Sequence, residues 1–291
     1  MNPEVSAAGS ADAAGCLYLV GTPIGNLEDI TLRALRILKE VDQIACEDTR
    51  HTQKLLNHYE IHKPLISYHE HNEMTRAPEL VLALEQGAKI ALVSDAGMPL
   101  VSDPGYRLVR ACVEEGITVH SVPGASSTLT ALTLSGLPSD VFTFIGFLPQ
   151  KEKARRDYLT SFKAVPATLI AFESPHRVVD SLADIEVVFP NRNMALCREL
   201  TKLHEEVLRG TATEIRAILE KRESVKGEIV LVIAPPTDEL ETVADEVIEN
   251  AITTALQDHP ASKAASLVSK EFGLSKDDVY ARILRRKADG A

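Results

Sequence analysis

Positions 89–105 read Lys89-Ile90-Ala91-Leu92-Val93-Ser94-Asp95-Ala96-Gly97-Met98-Pro99-Leu100-Val101-Ser102-Asp103-Pro104-Gly105. The first five residues form an apolar run that predicts a buried parallel strand, and the residues from Tyr106 onward predict a helix. Two Ser-Asp pairs, two glycines and two prolines therefore lie at the carboxyl end of a strand, where open α/β sheets bind ligands. A tight turn capped by Asp103, with Pro104 as the first helical residue, would explain only the second half of this loop. The loop therefore predicts a ligand site in an α/β fold.

Strand-like and helix-like stretches alternate through the first 122 residues. The helix-like stretches include Thr31–Val41 and Arg76–Gln86, whose leucines recur on one face. The alternation predicts an N-terminal α/β domain over residues 15–122, with a parallel sheet and right-handed crossovers. The predicted strands are Cys16–Val20, Gln43–Cys46, Leu65–Tyr68, Ile90–Ser94 and Thr118–Val122.

A second α/β domain is predicted over residues 123–236. It opens with a helix after Pro123-Gly124-Ala125-Ser126-Ser127 that stops at Gly136. Its strands lie closer together along the chain, and those around Cys197 and Val207 are expected to be antiparallel neighbours in a mixed sheet. They are Val141–Gly146, Ala167–Phe172, Met194–Arg198, Glu205–Arg209 and Glu228–Ile233.

The two ends of the chain differ from these domains. Residues 1–14 are predicted to be a disordered tail, and residues 237–249 an acidic linker. In the remaining segment, 250–291, the stretches Ala261–Phe272 and Ser275–Arg285 flank Gly273 with helix-turn-helix spacing. Both a nucleic-acid-binding module and a plain helical hairpin fit this spacing.

Composition narrows the function classes. The net charge of −11 argues against nonspecific binding of nucleic acid, although basic patches can hide in an acidic average. Cys16, Cys46, Cys112 and Cys197 are scattered, which is typical of free thiols in a reducing cytoplasm. No apolar run reaches the length of a membrane span, no secretory signal is recognisable, and no metal-ligand spacing occurs. We therefore expect a cytoplasmic protein without a metal site or a membrane partner.

Polar clusters stand at the ends of several predicted strands. The cluster at 21–26 lacks the Gly-Lys-Ser/Thr and G-x-G-x-x-G patterns, so neither a nucleoside triphosphate nor a classical dinucleotide is indicated as a ligand. The cluster at 47–51 combines two acids, a hydroxyl and an arginine, which can bind a ribose or position a phosphate, but which also suit a capped helix start. The clusters are Gly21-Thr22-Pro23-Ile24-Gly25-Asn26, Glu47-Asp48-Thr49-Arg50-His51, Glu173-Ser174-Pro175-His176-Arg177, Arg198-Glu199-Leu200-Thr201-Lys202 and Lys226-Gly227-Glu228.

Together with the Ser94–Gly105 loop and Pro123-Gly124-Ala125-Ser126, these clusters resemble one family closely. They are similar, in order and spacing from Cys16 to about Pro235, to the bacterial ribosomal RNA small-subunit methyltransferase I family of the tetrapyrrole methylase superfamily. The terminal helix pair resembles that family's helix-turn-helix extension. The resemblance implies two α/β domains of tetrapyrrole-methylase type, with a cofactor cleft between them.

The resemblance also implies a cofactor, a substrate and the residues that meet them. S-adenosylmethionine would lie in the cleft, and the loops after the first two strands would face the substrate. Arg50, Arg177, Arg198 and Lys202 are candidates to hold phosphates. The cofactor residues implied are Pro23, Asp95, Gly97, Met98, Ser126, Ser127, Phe172, Cys197 and Arg198. The substrate residues are Thr22, Asn26, Glu47, Asp48, Arg50, Arg177 and Lys202.

The implied reaction is in-line methyl transfer to the 2′-hydroxyl of a cytidine in 16S rRNA within the small ribosomal subunit. The Glu-Asp-Thr-Arg and Glu-Ser-Pro-His-Arg motifs favour RNA over the porphyrinoids that other members of the superfamily methylate. A ribose hydroxyl is a weak nucleophile, so a base should assist, and Asp95, Glu173 and Lys226 are the candidates, in an order that stays open.

The sequence also leads to an expected assembly state and leaves two alternative functions open. The resemblance implies a homodimer, and an acidic cleft enzyme would gain from two surfaces that grip RNA. A porphyrinoid methyltransferase is one alternative. The other is a non-catalytic regulator that binds nucleic acid through Ala261–Arg285 and senses a ligand in the cleft.

Overall fold

The computed structural model describes residues 15–236, 238–272 and 274–289. Within these ranges the chain forms two compact units. One is drawn from residues up to Lys163 and from Ala167–Ala234, and the other from Ala164–Pro166 and residues after Ala234. The predicted tail 1–14 and the turn residue Gly273 lie outside the described residues.

The first sheet is entirely parallel, as predicted. Its strand order is β3-β2-β4-β1-β5. The helices between the strands carry apolar faces that pack against it, so that one core contains Ile37 and Leu56, and another contains Leu84 and Leu108. The elements are β1 (Cys16–Val20), α1 (Leu32–Glu40), β2 (Gln43–Cys46), α2 (Thr49–His58), β3 (Leu65–Ser67), α3 (Glu73–Glu85), β4 (Lys89–Val93), α4 (Tyr106–Glu114) and β5 (Thr118–Val122).

The strand order places two loops side by side. β1 and β4 are neighbours, but the chain leaves them toward opposite sides of the sheet, to β2 and to β5. Such a switch opens a crevice at the carboxyl edge of a parallel sheet. The loops are joined there by two backbone hydrogen bonds, from Thr22 N–H to the Gly97 carbonyl at 2.9 Å and from Gly97 N–H to the Thr22 carbonyl at 3.1 Å. The crevice is the natural place for a ligand.

The second sheet is mixed, with the order β6-β7-β10-β8-β9. β6 and β7 are parallel, and the other pairs are antiparallel, including the predicted pairing of β8 with β9. Ala131 and Leu132 of α5 pack on this sheet, and that helix ends at Gly136 as expected. The elements are α5 (Ser127–Ser135), β6 (Phe142–Phe147), α6 (Glu152–Ser161), β7 (Thr168–Glu173), α7 (Val178–Val188), β8 (Asn193–Arg198), β9 (Glu206–Thr211), α8 (Ala212–Leu219) and β10 (Ile229–Ile233).

Beyond Ala234, three helices form a small core of their own. They are α9 (Asp238–Asp258), α10 (Ala261–Phe272) and α11 (Lys276–Asp289). Ile252, Val268 and Ile283 are buried among them. The segment 237–249, expected to be an acidic linker, is helical from Asp238 onward, so helical structure begins earlier than residue 250.

The start of α4 also differs from the capped turn considered for Asp103. The helix begins at Tyr106, its N-cap is Gly105, and no side chain caps it. Asp103 instead faces a cavity described below. No helix in the described ranges is both long and apolar enough to cross a bilayer.

Candidate active site

A cavity of about 580 Å³ lies between the loop after β4 and the second sheet. Its walls are largely apolar with a few polar groups, which is typical of a pocket for a small organic ligand. Five chain segments form it. They contribute Asp95 to Met98 with Val101 to Asp103, Pro123 and Gly124 with Ser126 to Leu129, Phe147, Phe172 to Pro175, and Gly227 to Val230.

Six of the predicted cofactor residues line this larger cavity: Asp95, Gly97, Met98, Ser126, Ser127 and Phe172. The Ser126 hydroxyl accepts a hydrogen bond from Leu129 N–H at 3.4 Å, which caps α5. Phe172 packs edge-on against Phe147, with ring centroids 5.3 Å apart. The geometry therefore brings the two loops and β7 together around one space.

The structure does not bring four other predicted residues to the larger cavity. Cys197 is fully buried, with its Sγ 3.8 Å from the Ala131 carbonyl, and belongs to the core beneath α5. Arg198 points to the opposite face of β8, where it donates hydrogen bonds to Glu206 at 3.0 Å and to the Lys226 carbonyl at 3.2 Å. Lys226 is exposed and does not line the larger cavity. The fourth, Pro23, lines a second cavity instead.

Glu173 lines the larger cavity and has three partners. Its Oε1 accepts from Ser174 N–H at 2.6 Å and pairs with Arg177 at 2.8 Å, while its Oε2 accepts from the Ser181 hydroxyl at 2.5 Å. The side chain is completely buried. These three contacts occupy most of the carboxylate's acceptor sites and tie β7 to α7, so Glu173 and Arg177 form an ion pair with a structural role.

A second cavity, of about 330 Å³, adjoins the first. The predicted residues Thr22, Pro23 and Lys202 line it. Asn26 lies just outside, where its side chain accepts from Glu28 N–H at 3.1 Å. The complete lining is Thr22, Pro23, Ile24, Gly25, Leu27, His51, Thr52, Lys54, Leu55, Ser94, Asp95, Ala96, Lys202 and Glu228.

Sequence reasoning missed the contribution of α2 to this smaller cavity. His51, Lys54 and Leu55 lie three and four positions apart, so they share one helical face immediately after the Glu47–Arg50 motif. That spacing was a usable signal. Arg50 itself is directed away, pairing with Asp48 at 2.9 Å, and 87% of its side chain is exposed.

Three residues line both cavities: Asp95, Ala96 and Glu228. Asp95 accepts a hydrogen bond from Asp48 N–H at 3.2 Å, which ties the end of β4 to the end of β2. Glu228 precedes β10 and pairs with Lys202 at 3.1 Å. The two cavities therefore adjoin along a boundary that carries two carboxylates.

The carboxylates near this wall strongly influence one another. Burial, followed by the charge of Glu47, raises the pKa of Asp103 to about 6. Burial and the charge of Asp95 likewise raise the pKa of Glu47. By contrast, hydrogen bonds from Arg50 lower the pKa of the exposed Asp48 to about 2. Asp103 is half-buried and lines the larger cavity, so a positively charged ligand there would stabilise its ionised form.

No group of three or more potential metal ligands occurs in the described part of the chain. The apolar walls and scattered polar groups of the larger cavity suit an organic ligand that is itself part apolar and part charged.

Comparison with known proteins gives the same picture. Residues 16–216 match the family of tetrapyrrole (corrin/porphyrin) methylases, and residues 241–287 match the RsmI C-terminal HTH domain. Among curated proteins, ribosomal RNA small subunit methyltransferase I of Halalkalibacterium halodurans is 49% identical over 280 residues, covering 92% of this chain and 94% of that protein. The protein of the same name from Escherichia coli O157:H7 is 46% identical over 282 residues, covering 96% and 98%.

Solved structures share the fold at low sequence identity. A diphthine synthase superposes with a TM-score of 0.60 at 14% identity, covering 75% of this chain and 90% of its own. The uroporphyrin-III C-methyl transferase of Thermus thermophilus, complexed with S-adenyl homocysteine, superposes with a TM-score of 0.53 at 21% identity, covering 75% and 97%. Together with the two-sheet fold and its paired cavities, these matches show that the chain belongs to the tetrapyrrole methylase family and, within it, to the ribosomal RNA small subunit methyltransferase I proteins.

Proposed function

We propose that this protein transfers a methyl group from S-adenosylmethionine to the ribose 2′-hydroxyl of a cytidine in 16S rRNA of the small ribosomal subunit. The observation that carries the proposal is the pair of cavities that share the wall formed by Asp95, Ala96 and Glu228. Methyl transfer needs the donor and the acceptor in contact but separately held, and two adjoining pockets supply that arrangement. The curated relatives, which cover nearly the whole chain, bear the name of an rRNA methyltransferase.

The larger cavity fits the methyl donor. Its apolar wall, with Phe147 and Phe172, suits an adenine ring, and its serines and backbone groups suit the ribose and the amino-acid portion. Asp95 and Asp103 add negative charge beside a ligand that carries a sulfonium. When bound, the donor supplies an electrophilic methyl group. The protein's own residues supply orientation and a pocket shielded from water.

The smaller cavity fits one unit of an RNA chain. At about 330 Å³ it lies at the small end of the range of ligand pockets, nearer to a nucleotide than to a four-ring macrocycle. His51 and Lys54 on α2 bring polar and cationic groups to its wall, where the phosphates flanking a target nucleotide would pass. Because the target ribose must be accessible, a non-helical stretch of RNA in a folded assembly is the substrate this site favours.

Two alternatives predict other results. A porphyrinoid methyltransferase would methylate a macrocycle and ignore RNA, and a ligand-sensing regulator would bind the donor without turnover. Labelled S-adenosylmethionine, offered with small ribosomal subunits and separately with a porphyrinoid, distinguishes all three. Label in rRNA alone supports the proposal. Label in the macrocycle, or in neither acceptor, contradicts it.

The protein acts as a homodimer in this proposal, because a chain of net charge −11 gains RNA contacts from a second copy. Light scattering at micromolar concentration should give twice the chain mass of 31.7 kDa. A mass equal to one chain would contradict this.

A further inference from the structure

The wall shared by the two cavities contains only two groups that can take up a proton. Of its three residues, Ala96 has none, and the Asp95 carboxylate already accepts a hydrogen bond from Asp48 N–H at 3.2 Å. The Glu228 side chain is 70% exposed and faces both cavities. Glu228 is therefore the more accessible carboxylate at the point where donor and acceptor would meet.

Glu228 is held in place from two directions. Lys202 Nζ lies 3.1 Å from its Oε2, and the same ammonium lies 2.8 Å from Oε1 of Glu199. Glu199 Oε1 in turn accepts from Glu228 N–H at 3.0 Å. Burial lowers the pKa of Lys202, but its hydrogen bonds to the two glutamates outweigh that effect, so the net shift is upward and the group stays cationic. The arrangement fixes both the backbone and the side chain of Glu228.

The local backbone is shaped to permit this arrangement. A Cβ at Gly25 would lie 2.4 Å from Cγ of Lys202, and a Cβ at Gly227, where φ is +92°, would lie 2.4 Å from Cγ of Glu199. Glu199 itself has a φ of +52°. A non-glycine residue held in this region costs free energy, and such costs concentrate at functional sites. The ion-paired group is therefore a built feature and not a chance surface contact.

We propose that Glu228 is the base that accepts the proton of the ribose 2′-hydroxyl and that Lys202 is the residue that positions its carboxylate. This inference rests on the proposed methyl transfer to RNA. The O–H bond breaks as the 2′-oxygen forms its new bond to the methyl carbon, whose bond to the donor sulfur breaks. As the proton passes to Glu228, the sulfonium loses its positive charge and the carboxylate loses its negative charge, so the net charge is unchanged. Release of the proton to water then restores the carboxylate.

The other candidate bases fit less well. The side chain of Glu173 is completely buried, and Ser174, Ser181 and Arg177 already hydrogen-bond its two oxygens. Lys226 lines neither cavity. Asp95 lies on the shared wall and is the one competitor that an experiment must separate from Glu228.

The test compares Glu228→Gln with Glu223→Gln, an exposed glutamate in the preceding turn that lines neither cavity. Glutamine keeps the shape of the side chain but cannot take up the proton. We expect kcat for small-subunit methylation to fall about 100-fold in Glu228→Gln. The KM for subunits and the calorimetric affinity for S-adenosylhomocysteine should stay unchanged, and Glu223→Gln should behave as wild type in every assay.

Three results would overturn the inference. The first is a loss of less than tenfold in Glu228→Gln. The second is a loss accompanied by weakened binding of S-adenosylhomocysteine or subunits, which would make Glu228 a binding residue. The third is a larger loss of kcat in Asp95→Asn, with unchanged affinities for S-adenosylhomocysteine and subunits, which would identify Asp95 as the base. If the wild-type protein transfers no methyl to RNA, the proposed function itself fails, and the inference fails with it.

Lys202 requires its own variants. Lys202→Met should lower kcat at unchanged KM, and Lys202→Arg, which retains the charge, should restore most of the loss. If Lys202 held an RNA phosphate instead, Lys202→Met would raise KM, flatten the salt dependence of subunit binding and leave kcat unchanged. That pattern would overturn its positioning role.

Discussion

Asp103 is a half-buried acid in the wall of the larger cavity, and its ionisation makes the stability of the protein depend on pH. Its pKa is raised to about 6, first by burial and then by the charge of Glu47. Since an unfolded aspartate titrates near pH 3.9, the folded state holds the proton more tightly, and wild-type stability decreases as pH rises through the interval between these values. Asp103→Asn removes that penalty. We expect the variant to be more stable than wild type by about 1 kcal/mol at pH 7.5, a value discounted for partial exposure, and the difference to disappear near pH 4.

Urea unfolding at both pH values checks this expectation, with Asp180→Asn, an exposed aspartate on α7, as the control. A stability difference that is the same at both values would show that the charge of Asp103 is not its source.

Glu173, a catalytic candidate on sequence grounds, is expected to act through stability. Glu173→Gln leaves Arg177 without its buried partner, and we expect the free energy of unfolding to fall by about 2 kcal/mol. Glu186→Gln, which breaks a half-exposed pair with Arg216, should change it by less than about 1 kcal/mol. Thermal unfolding and donor affinity are the measurements. A Glu173→Gln protein with wild-type stability and no methyl transfer would instead assign Glu173 a role in catalysis.

Side-chain direction explains which site residues the sequence could predict. Successive side chains of a strand point to opposite faces, so those of Cys197 and Arg198 do not point into the same cavity, and this rule applies to the sequence alone. The position of Glu228 beside the two cavities could not be predicted from the sequence in the same way. Glu228 reaches the wall with Asp95 because β10 lies between β7 and β8, and no local pattern specifies that order.

At the scale of elements, the strands were predictable to within one or two residues, because apolar runs and turn residues mark both ends. α9 was not recognised. Six acids between Asp238 and Glu249 suggested a linker, although Ile248, Ile252 and Leu256 recur at the four-residue spacing of a helix.

The three C-terminal helices share a core of their own, whose contribution to stability can be tested by one substitution. Ile252 is completely buried, and Ile252→Ala should destabilise these three helices by about 2–4 kcal/mol, since it removes apolar contacts and leaves a cavity. Hydrogen exchange should show faster exchange in α9, α10 and α11 and unchanged exchange in the two sheets. Leu284→Ala, at a half-exposed position on α11, is the control. Equal acceleration in the sheets would show that the chain unfolds as one cooperative unit.

The whole chain carries a net charge of −11, so binding to RNA requires local groups of basic residues. We expect the C-terminal helices to make phosphate contacts, for which the sequence offers Lys263, Lys270, Arg282, Arg285 and Arg286. Arg286 also contacts Thr253 and Glu249 of α9, so part of its charge is used within the unit. Truncation at residue 250 would cut through α9, so substitutions in the full chain test the idea better.

Lys263→Gln combined with Lys270→Gln should weaken subunit binding and reduce the slope of log affinity against log salt by about 1–2. With fewer phosphate contacts, binding releases fewer counterions from the RNA. Both lysines are exposed. Lys39→Gln combined with Lys221→Gln makes the same change of net charge at exposed positions of the two-sheet unit and should leave the slope unchanged. Equal slopes for the two double variants would assign the helices a packing role alone.

Mapping the modified atom shows whether this protein methylates a ribose 2′-hydroxyl. Small subunits from cells that lack this protein should be incubated with purified protein and S-adenosylmethionine, and the rRNA then mapped by resistance to alkaline cleavage. We expect one new alkali-resistant bond, 3′ to a cytidine of 16S rRNA, that is absent before incubation. A methyl group on a base, or no new resistant bond, would contradict this expectation.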